Sequence, residues 1–252
     1  MEYKKNFLTN VIIRIDYTSI QNFSVDKLKE FQNLIKTDFP IVEEANSPLL
    51  ELKVDEKQKI DTKTSEILKW NFLSKDRKRI FSVENNNLTL EFLKYTSYKD
   101  FSEKQKMLLD SFKAIFGDVT STRLGLRYVN QIDLEDTSLE LSEYIKPELL
   151  EVLKFRNLKN NLSRYIAYME IREEDYNLRF QFGIPNSLYP ERIIKKEFVL
   201  DYDCFIFDSL TLEEIPTRLK RFNDIVTGLF EESIMNKLKN LLEPAEDKDE
   251  VK

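Results

Sequence analysis

Arg123-Leu124-Gly125-Leu126-Arg127-Tyr128-Val129-Asn130-Gln131-Ile132, near the midpoint of the 252-residue chain, decides how the rest is read. Leu124, Leu126, Tyr128 and Ile132 take its even positions, and Arg123, Arg127 and Gln131 take odd ones. A period of two marks a half-buried strand, because successive side chains leave a strand on opposite faces. On either side of this strand the order of elements repeats.

On the N-terminal side, Val11, Ile13, Ile15 and Tyr17 alternate with Ile12, Arg14 and Asp16 and give a first strand. Ser24 caps a helix carrying Leu28, Phe31, Leu34 and Ile35, which ends before Phe39-Pro40. Strands are expected over 50–54, 67–73, 79–84 and 88–92, the last two joined by the turn Asn85-Asn86-Asn87. Ser102 with Gln105 reads as a capping box opening a helix that runs through Phe116 and stops at Gly117. This half reads β-α-β-β-β-β-α.

On the C-terminal side the central strand starts the pattern again. Pro147 begins a short helix. Strands over 162–171 and 176–182 pair across Glu173-Glu174-Asp175, and 198–206 alternates again. Thr211 with Glu214 is a second capping box, opening the longest helix, whose apolar positions run from Leu212 to Phe230 at helical spacing. The second half reads β-α-β-β-β-α. The expected fold is therefore α+β, a duplicated unit of a strand, a helix, three to four strands and a second helix, with an antiparallel sheet and helices on one face. The expected halves are 1–118 and 119–243, packed as one body, followed by a charged tail over 244–252. This order resembles TATA-box-binding-protein-like and helix-grip topologies.

Composition bounds the chemistry. With 41% hydrophobic residues, 18 Phe and 11 Tyr, the chain can build a core without metals or disulfides. Cys204 is the only cysteine, which excludes an internal disulfide framework and multi-cysteine metal sites. There is no His, so His-dependent triads and His-ligated zinc or iron are excluded. Net charge is -6, so no global field draws the chain to nucleic acid, leaving only a local basic patch to do so. Met1 to Phe7 lacks an apolar signal region and no run is long enough to span a membrane, so a cytoplasmic location is expected.

Arg123-Leu-Gly-Leu-Arg-Tyr-Val-Asn130, preceded by Tyr95-Thr-Ser-Tyr98, resembles the signature of a sporadically distributed prokaryotic family of similar length with no assigned function. Leu200-Asp-Tyr-Asp203 and a long helix reaching Phe230-Glu-Glu-Ser-Ile-Met-Asn-Lys-Leu238 resemble that family's C-terminal pattern. The resemblance implies a fold and an accessory-gene distribution, and supplies no catalytic residues. Members often carry a His in the final helix region. This chain has none.

Arg123 and Arg127 share a strand face, roughly 13 Å apart at about 3.3 Å per residue. With Gly125 leaving a gap between them, they form a candidate anion clamp. Cross-strand pairing with Asp201, Asp203 or Glu170 is the favoured reading. Tyr128 and Asn130 share the opposite face, where Asn130 is read as capping backbone groups rather than holding a ligand. Asp201 and Asp203 are a carboxylate pair and weak metal candidates. Glu51-Leu-Lys-Val-Asp55 and the basic turn Lys75-Asp-Arg-Lys-Arg79 read as solvated. No phosphate-binding glycine loop or nucleophile elbow occurs.

The leading expectation is a non-catalytic cytoplasmic binding or protein-interaction protein, with a protein partner or self-association and no cofactor. The first alternative is nucleic-acid or nucleotide recognition on a sheet face, with Arg123, Arg127, Arg164 and Arg179 converging. The second is a metal-dependent phosphate-processing enzyme using Asp201 and Asp203.

Overall fold

The computed structural model describes residues 3–45, 47–54, 60–134 and 140–244, with backbone alone for 47–54, 60–67 and 156–160. In chain order the first elements are β1 (Leu8–Tyr17), α1 (Val25–Ile35), β2 (Ile41–Glu44), β3 (Ser47–Val54), β4 (Ile60–Ile67) and β5 (Lys69–Leu73). Then come β6 (Arg79–Glu84), β7 (Asn87–Phe92), α2 (Tyr98–Phe116) and β8 (Ser121–Asp133). Three 3-10 segments follow, Leu141–Glu143, Pro147–Leu149 and Glu151–Asn160. The chain continues through β9 (Tyr165–Arg172), β10 (Asn177–Ile184), β11 (Glu197–Ile206), α3 (Ile215–Ser233) and α4 (Asn236–Leu242).

The fold is α+β, with one large antiparallel sheet of nine strands in the order β2-β5-β6-β7-β1-β8-β11-β10-β9. β3 and β4 form a separate hairpin. The chain divides into two compact units, one of residues 12–125 and 207–217, the other of 1–11, 126–206 and 218–252.

In the first unit, α1 starts where the Ser24 side chain accepts a hydrogen bond from the Lys27 N–H, and it buries Leu28, Phe31 and Ile35. Phe31 meets Phe72 and Phe81 of the strands and Phe116 of α2, at ring-centre distances of 5.3, 5.6 and 6.1 Å. Tyr17 packs on Phe112, and its hydroxyl donates to the Glu84 carbonyl at 2.7 Å. Gly117 ends α2 at φ 83°, a left-handed conformation that glycine tolerates best.

In the second unit, α3 covers one sheet face. The Tyr128 hydroxyl donates to Asn223 Oδ1 on α3 at 2.8 Å. Fully buried Tyr202 stacks on Phe180 at 4.6 Å, and its hydroxyl donates to Ser233 Oγ at 2.7 Å. A hydroxyl buried on a core face needs such a partner, since leaving it unmade costs about 1–3 kcal/mol.

Four expectations are corrected. First, two strands are added, β2 and β4. β2 is only four residues, and Ile60-Asp-Thr-Lys-Thr-Ser-Glu-Ile67 lacks the apolar alternation that announces a strand. Second, α2 opens at Ser97, whose side chain accepts from the Asp100 N–H, rather than at Ser102, whose hydroxyl donates to the Lys99 carbonyl. Third, the region after β8 forms 3-10 segments, with Pro147 at the first position of one. Fourth, the terminal helix breaks after Ser233. There Lys146 N–H donates to the Ser233 carbonyl and Met235 N–H to the Tyr144 carbonyl, extended pairings that a helix cannot make.

The Thr211 and Glu214 pairing is present, with Thr211 N–H and hydroxyl both donating to the Glu214 carboxylate. It precedes α3, which opens at Ile215. Asp55 and the tail from residue 245 lie outside the described residues.

Candidate functional site

The second unit places Arg127, Arg179, Asp201 and Asp203 on one polar sheet face, with Tyr128 and Asn130 on the other. Register sets Arg179 of β10 opposite Glu170 of β9 and Asp203 of β11, and Gln181 opposite Tyr168 and Asp201. Arg179 Nε donates to Glu170 Oε1 at 2.8 Å, and the Tyr168 hydroxyl donates to the same oxygen at 2.5 Å. The Arg179 guanidinium also sits 4.8 Å from the centre of the Phe205 ring. The Tyr168 hydroxyl, with Arg179 beside it, holds the Glu170 carboxyl below the usual carboxylate range. Arg179 is raised in turn, first by its hydrogen bond to Glu170.

Arg127 of β8 grips Asp201 of β11 with two hydrogen bonds, Nε to Oδ1 at 2.8 Å and Nη2 to Oδ2 at 2.5 Å. This is the cross-strand pairing favoured by sequence. Arg164 donates from Nε to the Pro185 carbonyl at 2.9 Å, and its guanidinium stacks 4.0 Å over the Tyr189 ring. Asn130, buried, donates to the Leu200 carbonyl at 3.3 Å, so it caps backbone as expected.

Arg123 belongs to the first unit. Its guanidinium folds over Gly125, where an added Cβ would meet Nη1 at 3.0 Å. The gap expected at Gly125 is thus filled by its own neighbour two residues away.

Asp201 faces a cation and Asp203 lies opposite Arg179. No group of three or more metal-capable side chains occurs among the described residues. Cys204 is fully buried, and desolvation pushes its thiol up to about 12, which makes it a core side chain rather than a nucleophile. The basic turn is held by one acid of its own and two from neighbouring elements. Asp76 accepts from the Ser74 hydroxyl and the Lys78 N–H, Arg77 pairs with Glu43 at 2.7 Å, and Arg79 pairs with Asp100 at 2.7 Å. A cavity of about 350 Å³ at the start of α4 is lined by Glu143, Lys146, Lys237 and Lys239. Two of these lysines are engaged, Lys237 with Glu143 and Lys239 with Glu231.

Sequence reasoning missed a different feature of this unit. Among the described residues, large apolar side chains with high exposure concentrate between 152 and 194: Val152, Phe155, Ile166, Tyr168, Met169, Ile171, Leu188, Tyr189 and Ile194. Four of them lie on β9, at the edge of the sheet. The signal was present in Tyr165-Ile-Ala-Tyr-Met-Glu-Ile-Arg172, which is apolar on both faces, but only strand order reveals that the segment is an edge.

No protein-family model matches the chain, and no curated protein matches its sequence.

Arg127→Ala tests whether the Arg127–Asp201 pair is structural. It leaves a carboxylate whose side chain is 8% exposed beside no guanidinium. Because Arg127 itself is half exposed, water moderates the loss to about 1–2 kcal/mol. Urea midpoints in a double-mutant cycle with Asp201→Ala should recover part of that loss in the double variant.

Proposed function

We propose that this chain is a non-catalytic cytoplasmic protein-interaction protein. The observation that carries this reading is the concentration of exposed apolar side chains on β9 and its flanks. Patches of this kind mark association surfaces. The candidate arginines support it from the other side. Arg127 and Arg179 are held by Asp201 and Glu170, so their charge is spent within the fold rather than offered to phosphates. That counts against a nucleic-acid or nucleotide site, as does the net charge of -6. The engagement of Asp201 by Arg127 likewise counts against a carboxylate-bound metal and phosphate chemistry.

Among the described residues, no helix is long and apolar enough to cross a membrane. The unit architecture supports an internal duplication related to TATA-box-binding-protein-like topology. In the first unit the order from the first strand is β1-β7-β6-β5-β2, and in the second it is β8-β11-β10-β9. In both, the first strand neighbours the last and the others follow in reverse. Membership of the sporadic family signalled by Arg123 to Asn130 is part of the same proposal, and fits an accessory role.

Native mass spectrometry with the 260/280 nm absorbance ratio tests the reading. A protein assembly carrying no small molecule is expected. A stoichiometrically bound nucleotide or nucleic acid overturns it and makes the arginines the first residues to mutate.

A further inference from the structure

β9 is the last strand of its sheet, so one row of its backbone N–H and C=O groups faces outward. Its inner side pairs with β10 residue for residue from Tyr165 to Arg172, without a bulge. Free edges in monomers are usually short, or are blunted by proline, lysine or a bulge. β2, at the other end of the strand order, fits that description, with four residues, Pro40 just before it and exposed Glu43 and Glu44 at its end. β9 carries exposed charges at Glu170 and Arg172 but none of the other defences. It is eight residues long, contains no Pro or Lys, and exposes Ile166, Tyr168, Met169 and Ile171.

The flanks reinforce it. Ile193 N–H donates to the Leu162 carbonyl, and Asn186 Nδ2 donates to the Ser163 carbonyl at 2.7 Å. These bonds fasten the loop carrying the exposed Leu188, Tyr189 and Ile194 to the segment just before β9.

We propose that the β9 edge binds a second copy of this chain, β9 pairing antiparallel with the partner's β9 about a two-fold axis through Met169. The proposal rests on the interaction reading above and names its partner. The sequence of β9 chooses the occupant and the register. A two-fold perpendicular to a sheet must place one residue opposite its own copy, so the admissible registers can be compared one by one.

Centred on Met169, the ladder pairs all of 166–172. Ala167 then faces the partner's Ile171, and Tyr168 faces the partner's Glu170. Just beyond the ladder, Arg164 meets the partner's Glu174, twice by symmetry. Centred on Tyr168, Arg164 opposes the partner's Arg172. Centred on Glu170, that carboxylate opposes its own copy. Directly opposed like charges destabilise a strand pair. Centring on Ile171 leaves only 170–172 paired, and centring on Ala167 leaves 170–172 outside the ladder. The Met169 register alone combines a ladder of seven residues with no like charges opposed.

The test uses the full chain. Light scattering coupled to size exclusion at micromolar concentration should give twice the 30.1 kDa chain mass. Met169→Lys with Ile171→Lys should reduce it to one chain mass. Met169→Cys, oxidised, should form a covalent dimer, whereas Glu170→Cys should not, because only residue 169 faces itself. Buried Cys204 does not compete. The cysteine variants keep the proposal testable even if the lysine variant fails to fold.

A monomeric wild type overturns the proposal. So does a dimer that cross-links through Glu170→Cys, or one that survives the lysines in a folded variant. None of these touches the broader interaction reading, which falls instead on a co-purifying nucleotide or nucleic acid.

Discussion

Phe31→Ala should destabilise the first unit by about 3–5 kcal/mol, the range for deleting a fully buried phenylalanine ring. Phe31 is completely buried and touches rings from β5, β6 and α2, so its loss opens a cavity walled by Phe72, Phe81 and Phe116. The aromatic walls are anchored on separate elements and have little freedom to collapse into the space. Trp70, the chain's only tryptophan, is buried in the same unit with its ring 6.0 Å from Phe72. Its fluorescence therefore reports this unit's unfolding in urea. A midpoint unchanged by the substitution would show that the core relaxes around the missing ring.

Gly183→Ala should have the second large effect, of at least about 2 kcal/mol, and it should be local. Gly183 lies on β10 at φ 143°, where L side chains are strained. An added Cβ would sit 2.1 Å from the Tyr165 carbonyl oxygen and 2.9 Å from its carbon. Those atoms are backbone of β9, so no rotamer change relieves the contact and β9 must move away from β10. Hydrogen exchange should accelerate at the amides of 165–172 while those around Phe31 stay protected. The same substitution should weaken self-association through β9. Undisturbed protection across β9 would mean that the strand pair accommodates the methyl group.

Much of the second unit was legible in order and type. The central strand, the β9–β10 hairpin and β11 follow from alternation, and the Thr211–Glu214 pairing just before α3 from capping chemistry, both of which are local. The Arg127 pairing was legible as a choice among three carboxylates, because an arginine on a strand of an acid-rich sheet seeks an acid across it. Which acid it takes depends on register, and register is fixed by where the whole strand sits. Glu170 illustrates this, since it answers Arg179 on β10 rather than Arg127 on β8.

The misses share a cause. β4 is polar in sequence and gave no period. The break after Ser233 depends on backbone groups of Tyr144 and Lys146, nearly ninety residues away. The true cap of α2, Ser97 with Asp100, competed with a better-looking box at Ser102 and Gln105, whose Gln105 side chain is buried on the inner face of the helix instead.

By itself the sequence determined an α+β fold, a hydrophobic core without disulfide or histidine chemistry, and the alternation that gives each strand its faces. These are properties of residues and their near neighbours. Only the tertiary structure decided which carboxylate each arginine meets and which strand is left at an edge. Both depend on the order in which strands assemble, and an apolar run such as 165–172 reads the same whether its neighbour is present or absent.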